Sequence, residues 1–340
     1  MTLPAVIEAP DPPPFAPARP PRRRRWLAPL RSWFRGRPLA VARRTTLLLL
    51  VLGLLYFGAL GLRAHRIDDD LTFRPAVAAP GGSATVAMAA GLMDREVNHH
   101  TWTPNDPWFG PDAFLDNAPR FQEGIQRASA QFSFQIFDQM GRVRGSSSAD
   151  PDLERAAGLL QFPPDVWVIE PSTSWLPTIP SETQYREAIR ALRSYDARLA
   201  AGGAVFERRA DALSVTLARV AADLGSRTAL IEREYQRPDA SFLDARVDDV
   251  FYLNKGMLYA YALLLEALGE DFGPLLAERR LDALWTQALG SLGRAAELHP
   301  AVVMNGSGDD SLFANHLVLQ GFYMKRAILQ IDEVVRVLGV

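Results

Sequence analysis

"PRFQEGIQRASAQFSFQIFDQMG", residues 119–141, decides the fold class. Its apolar side chains fall at Phe121, Ile125, Ala128, Phe132 and Ile136, a spacing that a helix of 3.6 residues per turn satisfies and a strand does not. Pro119 suits the first turn, where its missing N–H costs nothing, and Gly141 reads as a stop. The same period continues on both sides. Upstream, Ser83 is placed to cap a helix with Val86, Ala90, Met93 and Val97 along one face. Downstream, Asp150–Pro151 opens a short helix through Leu160. Ser181 and Gln184 form a capping-box pair ahead of Tyr185, Ile189, Leu192 and Leu199. Gly202–Gly203 then turns the chain into a return helix carrying Phe206, Leu213, Leu217, Val220 and Leu224, ended by Gly225. Further helices are expected over about Asp248–Leu268, Pro274–Leu298 and Asp309–Leu338. The last has Leu312, Leu319, Tyr323, Ala327, Val334 and Leu338 on one side. With no alternating strand pattern, the expected class is all-α: a helical bundle domain with long Trp/Pro-rich loops, preceded by one transmembrane helix.

That helix is "TTLLLLVLGLLYFGALGL", residues 45–62. Eighteen helical residues span roughly 27 Å, close to the thickness of a bilayer core. Residues 1–44 carry ten arginines against Glu8 and Asp11, a net +8, which leaves −10 for residues 45–340 of a chain whose total is −2. The positive-inside rule keeps such an N-terminus in the cytoplasm and sends the rest across. "RAHRIDDD", immediately after the run, offers no small-x-small cleavage pattern, so the segment reads as an uncleaved signal anchor. Residues 1–44, rich in Pro and Arg with little to bury, are expected to be a disordered cytoplasmic tail. Arg22–Arg25 invites a nucleic-acid reading, but the apolar run that follows makes the basic cluster a topological signal, and no nucleic-acid partner is assigned. Residues 63–82 are expected to be a tether reaching about 66 Å at most, and residues 83–340 a periplasmic all-helical domain. "GMLYAYALLLEALG", 256–269, has an apolar run of only ten residues before Glu266, the length of a buried core helix rather than a second span.

The absence of cysteine excludes disulfides, thiolate catalysis and Cys-based metal centres. Two stretches break the helical background: 101–119, with Trp102, Trp108 and four prolines, and 162–180, with Trp167, Trp175 and five. Long irregular segments in compact domains are often functional, and proline makes these stiff. They serve either as a packed cover with tryptophans inward or as a groove whose tryptophans stack on glycan or peptide. Trp102, Trp108, Trp167, Glu170 and Trp175 are the ligand-binding candidates. For residues 101–112 the cover reading is preferred, with Trp102 and Trp108 buried. His99 and His100 are adjacent and on a helix point about 100° apart, poor geometry for sharing one metal, so their expected role is to bond free carbonyls at a helix end. A metal-dependent hydrolase using either histidine is the weaker alternative. Glu170, flanked by Trp167 and Trp175, has the setting of a glycan-cleaving acid, but its second carboxylate is not identifiable. "NGSGDDS", 305–311, lacks the alternating acids of a calcium loop and reads as a turn with an acidic cap for the final helix. No catalytic residue, metal site or cofactor is assigned.

Five segments together carry a resemblance: "LMDREVNHHTWTPNDPWF" (92–109), "FDQMGRVRGSSSADPDL" (137–153), "PSTSWLPT" (171–178), "VFERRADAL" (205–213) and "DDVFYLNKGMLYA" (248–260). From about Gly91 onward the chain resembles an uncharacterised family of bacterial, mainly proteobacterial, membrane-anchored proteins known only as a domain of unknown function. The resemblance implies an envelope protein with one N-terminal anchor and brings no activity to carry over. The expected function is that of a non-enzymatic interaction or scaffold protein of the inner membrane. Its expected partners are the membrane, through residues 45–62, and another envelope protein or a cell-wall component. The alternatives are a cell-wall glycan hydrolase using Glu170 and a metal-dependent hydrolase using His99 or His100.

Overall fold

A computed structural model describes residues 38–61, 65–75, 80–110, 115–143, 150–169, 175–237, 244–300, 302–304 and 315–339. Among these residues there are ten α-helices and no β-strand. The chain divides into two compact units, Met1–Gly53 and Leu54–Val340. Most of the Pro/Arg-rich tail, the "NGSGDDS" turn and Glu170 lie outside the described residues.

Helix α1 (Pro38–Leu54) runs on as a π-helical stretch, Leu55–Leu60. Its segment Ala40–Leu60, 21 residues of hydropathy 1.6 with none of it buried, is long and apolar enough to cross a membrane. It starts five residues before the expected run because the helix continues through Arg43 and Arg44, whose long stems can carry their charges back toward water.

In the larger unit, α2 (Ala84–Asp94) is capped by Ser83, whose hydroxyl accepts from the Val86 N–H, and passes into a π turn at Arg95–His99. Then come α3 (Asn117–Val143), α4 (Pro151–Leu160), α5 (Ser181–Ala200), α6 (Ala210–Tyr235), α7 (Ala245–Asp271), α8 (Gly273–Glu278), α9 (Asp282–Ala296) and α10 (His316–Leu338). Helix α7 is the centre of the core. Its residues 254–265 are buried on every side, as expected of a helix apolar all round. Helices α2, α3 and α9 pack on it directly; α10 lies between α6 and α9, and α5 between α2 and α4. At the crossing of α3 and α7 the backbones touch through two glycines. A Cβ on Gly124 would stand 2.2 Å from the Leu253 carbonyl oxygen, and one on Gly256 2.0 Å from that of Phe121.

The expected stripes on α3, α5 and α6 are the buried ones, and Asp150 caps α4 by accepting from the Asp152 and Leu153 N–H groups. Several boundaries differ. Helix α3 runs two residues past Gly141. Gly202, at φ 75°, does break the chain after α5, yet α5 packs on α2 and α4 while α6 packs on α10, so the two are not a packed hairpin. Helix α6 continues through Gly225 to Tyr235 because Ile231, beyond the glycine, still reaches the core. The expected helix over 274–298 is two helices, divided where Arg280 takes φ 55°. On α10, Ala327, Val334 and Leu338 are buried as expected, while Leu319 is exposed and Tyr323 only half-buried; Leu317, Met324 and Ile331 complete the buried face, and Leu312 lies outside the described residues.

Within the expected tether, 63–82, part of the chain forms a strap. Within residues 65–75, Ile67, Leu71 and Phe73 pack against the core. Burying these three side chains ties the chain to the helices from Ile67 onward.

Candidate functional site

Two arrangements join end to end: a buried charge cluster under the strap, and a platform built from the Trp/Pro loops. The cluster starts at the π turn Arg95–His99, closed by the His100 N–H donating to the Arg95 carbonyl at 2.8 Å. Such turns recur at functional sites because they re-aim side chains out of helical register. Here Arg95, Glu96 and His100 all turn inward. The Arg95 guanidinium donates to Glu96 Oε1 (2.8 Å) and to the Tyr259 hydroxyl (2.6 Å), and it lies over the rings of Phe73 and Tyr259 at 4.8 and 5.0 Å. Glu96 Oε2 sits 3.2 Å from His100 Nδ1 and accepts from Gln122 Nε2 at 3.2 Å. Burial pushes the Glu96 carboxyl up, but the His100 hydrogen bond and the Arg95 charge outweigh it and hold it below the usual carboxylate range.

The strap's three aspartates close the cluster. Asp68 lies 3.7 Å from Arg95 and 3.6 Å from His100 Nε2; the backbone carbonyl of Asp70 accepts from Tyr259 at 3.0 Å; Asp69 pairs with Lys255 and His299, each at 2.6 Å. Lys255, 1% exposed, also donates to the carbonyls of Ala296 and Leu298. Burial pulls its pKa down while Asp69 opposes the change. Arg95, Glu96, His100 and Lys255 are each paired and largely buried, which ties the strap to α2 and α7.

The histidines therefore bond carboxylates instead of free helix carbonyls. His99, largely exposed, faces Asp94 at 3.3 Å, while buried His100 faces Glu96 and Asp68. The π turn takes them in different directions. No group of three or more His, Asp or Glu side chains able to hold a metal occurs among the described residues. Beside the strap, a cavity of about 230 Å³ is lined by Phe73, Arg74, Gly91, Asp94, His99 and Arg193 among others, with Asp94 and Arg193 paired at 2.9 Å.

Gln122 connects the cluster to the platform: it donates to Glu96 and to the Thr101 carbonyl, and accepts from the Thr103 N–H at 3.0 Å. From there the two loops are bonded to each other. Trp102 Nε1 donates to the Pro164 carbonyl (3.1 Å), and Asn105 donates to the Val166 carbonyl (2.9 Å) and Glu182 (2.7 Å). The Ser181 hydroxyl donates to the Pro163 carbonyl and accepts from the Val166 N–H. It holds a loop where a capping box was expected, and the N-cap position is Pro180. Thr178 bonds the carbonyls of Trp167 and Val168.

The four tryptophans divide. Trp102 is 3% exposed and meets Tyr185 edge-on at 5.1 Å. Trp108 is 86% exposed and Trp175 82% exposed, and Trp167 is half-buried. The expectation that Trp108 would be buried is overturned. Only Trp102 finds both a hydrophobic pocket and an acceptor for its N–H, whereas Trp108 rests on Phe109 (5.6 Å), which rests on Trp167 (5.8 Å). The cover thus carries outward-facing apolar side chains on both loops: Trp108 and Phe109 on one, and Trp175, Leu176 and Ile179 on the other, all exposed. Glu170 lies outside the described residues, so its glycan-acid reading has no geometry to stand on.

Sequence reasoning missed Arg95, Lys255 and the Asp68–Asp70 run as structural charges. The available signal was a lone lysine inside the apolar "FYLNKGMLYA", since a lysine there must be paired.

An all-α domain that follows an apolar helix and displays exposed aromatic side chains defines the class: a helical domain with one candidate membrane span among the described residues. More particularly, the chain belongs to a family of uncharacterised proteins conserved in bacteria, DUF2333, which matches residues 76–237 and 232–339. No curated protein and no solved structure matches it.

Proposed function

We propose that this protein is a single-pass inner-membrane protein, N-terminus cytoplasmic and helical domain periplasmic, that works by contact rather than by catalysis, with the aromatic patch as its contact surface. The observation that carries the reading is that Trp108 and Trp175, each more than four-fifths exposed, stand on two loops cross-bonded through Trp102, Asn105 and Ser181. Large exposed apolar side chains on a rigid support mark interaction sites, because they contribute area to a complex without an ordering cost. The orientation is supported by the arginine excess before Ala40–Leu60 and the acidic balance after it.

Hydroxyl-radical footprinting tests the reading. In intact bacterial membranes Trp108 and Trp175 are expected to be oxidised several-fold more slowly than exposed Phe322 on α10, with Trp102 as the slow, buried reference. Oxidation of Trp108 and Trp175 there as fast as that of Phe322 would overturn it.

A further inference from the structure

We infer that the patch's occupant is the lipid surface of the leaflet from which the domain emerges, so that the domain lies on its own membrane. The inference rests on the reading of the patch as a contact surface and adds what covers it. Three observations point to lipid. First, the strap leaves little slack: the apolar segment ends at Leu60 and Asp68 already faces Arg95 and His100 at ion-pair distance, so only residues 61–67 intervene. Seven residues reach at most about 25 Å. Second, the hydroxyl of Tyr56, one turn before Leu60, donates to the Phe109 carbonyl at 3.2 Å. Tyrosine near the end of a span belongs to the headgroup layer, and this bond places the residue after Trp108 beside it. Third, the patch has the chemistry of that layer. Trp108 and Trp175 are amphipathic rings of the kind that concentrate at membrane interfaces, Ile179 is exposed on the same loop as Trp175, and residues 101–110 and 162–180 contain no Lys or Arg. The attraction is therefore apolar and does not depend on anionic lipid.

The native chain has no cysteine, so an introduced one is the only thiol. Full-length Trp108→Cys and Ile179→Cys, which leave Trp175 in place, and Glu333→Cys on α10 as the solvent reference, would each be spin-labelled. The labelled chains would be placed in nanodiscs of phosphatidylethanolamine and phosphatidylglycerol. The labels at 108 and 179 are expected to collide several-fold less with a water-soluble nickel complex, and more with oxygen, than the label at 333, and to do the same in phosphatidylcholine. Nickel accessibility equal to that at 333 would overturn the inference. Native membranes then separate the two failures. If footprinting there still shows Trp108 and Trp175 protected, the contact surface stands and its occupant is a protein or wall component; if not, the contact reading falls as well.

Discussion

At the residue scale, identical side chains in one loop have opposite fates. Trp102 fills a pocket against Tyr185 and donates its N–H, while Trp108, six residues on, faces outward. Trp102→Ala should cost about 3–5 kcal/mol, and Trp108→Ala should leave thermal unfolding nearly unchanged; a scan of both variants checks the contrast. Composition showed that these loops matter but could not show which ring turns inward, because that depends on the acceptor supplied by Pro164 in a distant segment. Asp248 gives a second residue-scale test. Burial, then the charges of Asp116 and Asp249, raise its pKa from 3.8 to about 6. An acid whose folded pKa is raised takes up a proton on folding, so its favourable contribution is present at low pH and is lost as pH rises through about 6. Asp248→Asn should match the native protein in melting temperature near pH 4 and exceed it above pH 7. Parallel curves across that window would contradict the assignment.

At the scale of elements, the sequence was most legible where a helix buries one face and least legible where backbone meets backbone. The stripe Phe121, Ile125, Ala128, Phe132 and Ile136 is buried as its spacing requires. Yet Gly124 sits inside that stripe and Gly256 opens the ten-residue apolar run of α7, and nothing local reveals that they face each other. Gly225 shows the converse: it looks like the same residue in the same setting, but a side chain there would meet open space. Adding a methyl at Gly124 or Gly256 presses on a carbonyl that cannot rotate away, so Gly256→Ala should cost about 3 kcal/mol, the upper end for overpacking. Gly225→Ala should stabilise by about 0.5–1 kcal/mol through helix propensity. Chemical denaturation of the two variants reads the difference directly. The strap was illegible for a related reason: Asp68, Asp69 and Asp70 resemble a solvated acidic linker until Arg95, Lys255 and His299 arrive from three other segments.

For the whole molecule, charge segregation is a property of the linear chain and needs no tertiary contact to read. Ten arginines lie before Thr45, two of them adjoining the apolar run at Arg43–Arg44, while residues 45–340 sum to −10 within a total of −2. Moving that basic cluster across a bilayer opposes the bias that sets topology, whereas the folded unit after Leu60 carries no comparable basic run. The domain should therefore be translocated and the tail retained. Alkaline phosphatase fused after Val340 should be active, since it matures only outside the cytoplasm, and a fluorescent protein exported unfolded by the general pathway and fused at the same place should be dark. Replacing Arg22–Arg25, Arg43 and Arg44 with neutral residues should weaken the bias and lower the phosphatase signal, because the retained end would no longer be distinguished by charge. A bright C-terminal fluorescent fusion with inactive phosphatase would place the domain in the cytoplasm, and the aromatic patch would then face the inner leaflet.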